Sequence, residues 1–101
     1  MRAQILAERA AACKHLEQKV AAIQQSLLRE EEDLDRMNRD IAEASASRNS
    51  RKVVELSKSI HRTRDAMNRL YKELSPLVLT LEERKAVFDA RLAELDEMKP
   101  D

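Results

Sequence analysis

Few residues of this chain could do chemistry: Cys13, His15, His61 and the carboxylate run Glu30-Glu31-Glu32-Asp33. A zinc centre needs three or four nitrogen, sulfur or carboxylate ligands converging on one point, and neither histidine has such a set at helical spacing. A lone cysteine forms no internal disulfide, and Cys13 falls at a core position of the pattern described below, where it reads as packing. The acidic run lies in a continuous helical pattern, which cannot wrap ligands around a calcium ion without a glycine-bearing turn. The chain contains no Gly at all, which also excludes a phosphate-cradling loop. Two aromatic residues, Tyr71 and Phe88, make no base-stacking platform. The sequence therefore predicts no catalytic residue, no metal site and no cofactor. It does not read as an enzyme.

What remains is charge, and it is unevenly placed. Residues 36–72 carry ten Lys or Arg against four acids, a net of +6. The flanks are acidic, net −2 over residues 1–35 and net −4 over 73–101, so a formal total of zero conceals a basic middle. If the chain doubles back at its midpoint, the middle becomes a basic tip suited to an anionic partner. The partner-binding set this points to is Arg36, Arg39, Arg48, Arg51, Lys52, Lys58, Arg62, Arg69 and Lys72. In the heptad phase below, Arg36, Arg62 and Arg69 fall at c, and Arg39, Lys58 and Lys72 at f, positions that point away from a seam. Phosphorylation within the Ser45–Ser50 cluster would add negative charge there and weaken an acidic partner's hold.

The elements that must position these cations follow from composition and period. The chain has 101 residues, 38% of them charged, with two Pro and no Trp, the composition of a coiled coil or long helix. So few aromatics favour one elongated domain over a compact core. No stretch of about 18 apolar residues is present to span a membrane, and the N-terminus lacks a signal-peptide layout. The chain begins within a repeat and ends at Lys99-Pro100-Asp101, so it reads as a fragment of a larger protein, and its single cysteine fits a reducing compartment.

Two heptad series are present. Leu6, Cys13, Val20, Leu27, Leu34 and Ile41 form the first set of a positions, and Val53, Ile60, Met67, Leu74, Leu81, Phe88 and Leu95 the second. An unbroken apolar a series of this length predicts a coiled coil with a left-handed supercoil. The two runs are out of phase, and the break falls at Ser45-Ala46-Ser47-Arg48-Asn49-Ser50, a turn cluster in which Asn49 or Ser50 can cap the second helix. The expected fold is all-α: one antiparallel coiled-coil hairpin over residues 1–101, with arms at about 2–45 and 52–98 and a turn within 45–51. Cross-seam partners then have numbers summing to 97, and each arm is about 65–70 Å long. A bent, intermolecular coiled coil is the rival arrangement. Pro76 sits at an outward c position, where it predicts a kink; Ser75-Pro76 also resembles the start of a new helix.

The d series contains irregular members. Arg9, Arg84 and Arg91 take d positions towards the open end, opposite Phe88, Cys13 and Leu6, where their stems can pack and their heads reach water. Glu30 faces Met67 and reads as a polar residue that sets register. The acidic run is expected beside Arg64 and Arg69, forming exposed ion pairs.

With its two arms and the segment RMNRDIAEASASRNSRKVVELSKSIHRTRDAMNRLYKEL around the turn, the chain resembles the coiled-coil hairpin of the microtubule-binding kinetochore protein of kinetoplastids. The resemblance implies a role in attaching chromosomes to spindle microtubules, whose tubulin surface is acidic. It further implies a nuclear location at kinetochore and spindle, and contact with other kinetochore proteins through the parent chain. Lys14 and Lys19 on the first arm join the basic set as further contact residues on that reading. The stretch VVELSKSIHRTRDAMNRLYKEL is also similar to the second helix of the C-terminal coiled coil of ATP-binding-cassette proteins acting on ribosomes or DNA. That similarity implies nucleic acid as the partner, although such hairpins often carry Trp where this chain has Leu74-Ser75-Pro76. A plain scaffold or dimerisation rod is the third reading.

Overall fold

The computed structural model describes residues 1–98. Helix α1 spans Arg2–Ala46 and helix α2 spans Ser50–Glu97, with no strand among the described residues. The chain is an all-α helical hairpin, as its paired heptads predict. Each helix contributes to two compact units: a turn unit, Ile23–Glu73, and an end unit that joins Met1–Ala22 to the part of α2 from Leu74 onward.

The turn is shorter than the sequence suggests, because α2 already begins at Ser50. Ser47, Arg48 and Asn49 make the reversal. The Asn49 N–H donates to the Ala44 carbonyl (2.9 Å) and the Arg48 N–H to the Ser45 carbonyl (3.1 Å), the paired bonds of a Schellman C-cap. That motif requires a left-handed residue, and Arg48 supplies it at φ 56°. The chain has no Gly to place there, so the backbone carries a strain of about 1 kcal/mol. Asn49 then starts the next helix: its Oδ1 accepts the Lys52 N–H at 3.2 Å, an N-cap bond.

Within the turn unit the heptad reading holds. Ile23, Leu27, Glu30, Leu34, Met37, Ile41 and Ala44 of α1 are buried or half-buried, as are Val53, Leu56, Ile60, Thr63, Met67 and Leu70 of α2. All are a or d positions. Leu27, Ala44 and Ile60 are the most enclosed.

In the end unit the phase slips. The enclosed face of α1 there is Ile5, Arg9, Cys13, Leu16 and Val20, while Leu6 is 44% exposed. On α2 the enclosed face runs through Leu74, Leu77, Leu81, Lys85, Phe88, Leu92 and Leu95, and Arg84, Arg91 and Met98 are exposed. Leu6, Arg84 and Arg91 are therefore not seam residues, contrary to the strict heptad. From Ile5 to Leu16, and again from Leu74 to Lys85, eleven residues complete three turns. That is about 3.67 residues per turn rather than 3.5, the spacing of a stutter that relaxes left-handed supercoiling. The slip has a clear benefit: Ile5 and Leu92 enter the seam while two guanidinium groups leave it.

The core of the end unit is Cys13, Leu16, Val20 and Leu81, with Leu74, Leu77 and Val78 packed against it. Cys13, 1% exposed, is its most enclosed member. Charges bridge the helices around this core: Arg2 to Asp96 (2.8 Å), Arg9 to Asp89 (3.2 Å), Arg91 to Glu8 (3.1 Å) and Lys85 to Glu17 (3.5 Å). Arg84 donates to the Ala12 carbonyl at 3.2 Å. The paired numbers sum to 96–102, around the predicted 97, so the helices are antiparallel here. Arg9 keeps its seam position, its Nε near Asp89 but without an aligned hydrogen bond.

Helix α2 runs unbroken through Pro76, so no new helix starts at Ser75. The proline is exposed, which leaves the unserved carbonyl one turn earlier on the outward side where water can reach it. Thr80 Oγ1 donates to the Pro76 carbonyl at 2.9 Å, a back-bond of the kind that often bends helices.

Candidate interaction surface

All eleven basic residues of the predicted set are exposed: Arg36, Arg39, Arg48, Arg51, Lys52, Lys58, Arg62, Arg69, Lys72, Lys14 and Lys19. They do not form one patch. The heptad that seats the turn unit's seam also fixes where each cation points, because c and f positions of two packed helices face away from each other. Arg36 and Arg39 therefore lie on the outer stripe of α1, and Lys58, Arg62, Arg69 and Lys72 on the opposite outer stripe, of α2. Lys14 and Lys19 belong to the end unit. Five residues apart, those two lysines diverge by about 140° around α1 and cannot serve one flat surface together.

The α2 stripe is the coherent array. Arg51, Glu55, Lys58, Arg62, Asp65, Arg69 and Lys72 follow one another at alternating four- and three-residue steps, which keeps them on one face. Of its two acids, Glu55 lies 3.5 Å from Arg51 Nε; Asp65 lies 3.5 Å from His61 Nε2, a contact that balances its charge only when the imidazole is protonated. Arg62 Nη2 donates to Ser59 Oγ at 3.1 Å, which steers the guanidinium along the helix without neutralising it. Lys58, Arg69 and Lys72 have no acidic partner among the described residues. From Lys58 to Lys72 the stripe extends about 21 Å. That exceeds the screening length of roughly 8 Å at physiological salt, so a small anion would feel only part of it. An extended polyanionic surface would meet all of it.

The α1 stripe is weaker. Arg36 is held by Asp33 of its own helix at 2.8 Å, and Glu32 and Glu43 flank Arg36 and Arg39 along the same face. The expected pairing of the acidic run with Arg64 and Arg69 does not form among the described residues; Asp33 pairs with Arg36 of its own helix. At the reversal, Arg48 and Lys52 add exposed cations beside the N-terminus of α2, whose first turn holds no acid.

Two neighbours of the stripe escaped the charge count. His61 is not isolated: its Asp65 partner stands at i,i+4, a spacing visible in the sequence. Val54, at an outward b position, is 53% exposed next to Lys58. No group of three or more potential metal ligands occurs among the described residues. Compared with family models, with curated proteins and with solved structures, the chain finds no match.

Proposed function

We propose that the hairpin is a non-enzymatic interaction module that docks an acidic protein filament on the outer face of α2. One observation carries this reading: Lys58, Arg62, Arg69 and Lys72 share one exposed stripe on which cations outnumber acids. Microtubules are the filament proposed, with tubulin's acidic surface as the contact and a kinetochore in the nucleus as the setting. That choice rests on the resemblance of the two arms and basic turn to the kinetoplastid kinetochore hairpin. Arg48, Arg51 and Lys52 extend the contact around the reversal, whereas Arg36 and Arg39 face the other way and contribute mainly long-range attraction.

Co-sedimentation with stabilised microtubules across a salt series tests the proposal, repeated after the acidic tubulin tails are removed. Pelleting that falls steeply with salt is the expected result, since exposed cations act through a screened field. Its loss with the tails assigns the contact to them, and its retention to the lattice. Absence of pelleting at low salt rejects the filament. An oligonucleotide titration in the same buffers then tests phosphate binding, which would show a linear fall of log affinity with log salt and little sequence preference.

A further inference from the structure

One edge of the α2 stripe is not purely cationic. A shallow, open depression of about 580 Å³ lies there, lined by Val53, Val54, Ser57, Lys58, His61 and Arg62. Its floor is hydrocarbon from two β-branched side chains, and its outer rim carries Lys58 and Arg62. Single exposed apolar residues are ordinary on protein surfaces, and Val54 alone would mean nothing. The juxtaposition is what matters: Val54 stands one turn from Lys58 and two turns from His61, so an apolar step and two cations occupy one face. Of the acids that would repel a negatively charged ligand here, Glu55 is paired with Arg51, and Asp65 lies on the far side of His61 from Val54.

We infer that this depression receives one apolar side chain of an acidic partner segment, while carboxylates beside that side chain meet Lys58 and Arg62. The inference deepens the docking role proposed for the stripe and rests on it. It assigns the surface a preference that charge cannot provide. Coulomb attraction ranks acidic ligands by charge and spacing alone, whereas a hydrocarbon floor distinguishes an acidic segment with an apolar residue from one without. The two contributions also respond differently to salt, which screens the rim and leaves the floor untouched.

The test uses two labelled glutamate-rich peptides of equal charge, one with a central Leu and one with Ser at that place, titrated into the chain by fluorescence anisotropy. The Leu peptide is expected to bind about fivefold tighter, the effect of burying about 40 Å² of apolar surface. That ratio should persist as added salt weakens both peptides, and it should vanish in Val54→Ser while Val54→Leu retains it. Val54 is exposed, so circular dichroism should show unchanged helicity in both variants. Equal binding of the two peptides, no binding of either, or a preference that Val54→Ser leaves intact would each overturn the inference. The microtubule pelleting assay separates the two readings. Pelleting without a Leu preference leaves the filament standing and removes the apolar step; a Leu preference without pelleting does the reverse.

Discussion

The two compact units use the same kinds of residue to opposite ends. In the end unit, charges pair across the helices, as Arg2 does with Asp96, Arg9 with Asp89, Arg91 with Glu8 and Lys85 with Glu17. In the turn unit they pair along a single helix, as Arg36 does with Asp33, Arg51 with Glu55 and His61 with Asp65. A cation that bridges two helices is occupied by the fold. One paired along its own helix is partly neutralised, and one with no acid beside it stays fully available to a partner. On α2 of the turn unit the acids Glu55 and Asp65 sit on the outward stripe itself, whereas in the end unit Glu8, Glu17, Asp89 and Asp96 lie within reach of a cation on the opposing arm. The same chemistry thus closes one unit and opens the other.

The sharpest way to break this comparison is to remove the end unit's core. Leu81→Ala takes a buried side chain out of the cluster formed with Cys13, Leu16 and Val20. A loss of about 2–3 kcal/mol is expected from urea unfolding, at the lower end for Leu→Ala because a two-helix core lets water fill the gap. A loss below about 1 kcal/mol would mean that the crossing charges, rather than the core, hold this unit.

The second prediction concerns the open charges. Reversing Lys58, Arg62 and Arg69 to Glu should weaken microtubule binding at least about tenfold at physiological salt, with helicity unchanged. Reversing Arg36 and Arg39, two cations of comparable exposure on the other face, should weaken it less than about threefold. Equal effects would show that the field of the whole turn unit, and not the α2 stripe, governs docking.

How much of this was legible depended on where the apolar residues were. The turn unit's seam could be read because its a and d positions are apolar except for Glu30 and Thr63, and a period of seven places every one correctly. In the end unit the same extrapolation put Leu6, Arg84 and Arg91 in the seam. A straight helix drifts about 20° per heptad against a strict repeat, and an arginine at d provides no reason to resist that drift. Ile5 and Leu92 were the available signal, one residue beside the assigned positions. The turn was legible as a Ser/Asn cluster, but its left-handed Arg48 was not, because that place is normally marked by Gly and this chain has none. The cations could all be listed from the sequence. Their division between two faces also follows from the heptad, since c and f positions of two packed helices face away from each other; which acids pair along each helix did not.

A smaller effect tests how the turn positions the stripe. Asn49→Ala removes the N-cap bond to Lys52 and should cost about 1 kcal/mol. Arg48→Gly should act in the other direction, stabilising the hairpin by about 0.5–1 kcal/mol through relief of the left-handed strain. The glycine variant also lacks one exposed cation at the reversal. A hairpin that melts higher yet binds more weakly would show that Arg48 is kept at this position for its charge despite its conformational cost.

The smallest expected effect bears most directly on the contrast between the units. Arg91 and Glu8 cross the end unit at 3.1 Å, but their side chains are 47% and 44% exposed. Water screens such a pair, and ordering two long side chains offsets much of the Coulomb gain, so a double-mutant cycle with Arg91→Gln and Glu8→Gln should give a coupling of about 0.3 kcal/mol. Arg91 also lies over the Phe88 ring at 5.4 Å, so Arg91→Gln alone should cost more than Glu8→Gln. That asymmetry separates stacking on the ring from attraction to the carboxylate. A coupling so small would leave both register and stability of the end unit to the apolar seam, since a slip of one residue turns the packed face by about 100° and costs far more than the crossing pairs. A coupling above about 1 kcal/mol would instead make charge a structural adhesive in the end unit, and the turn unit's unpaired cations would then mark stability forgone in order to remain open.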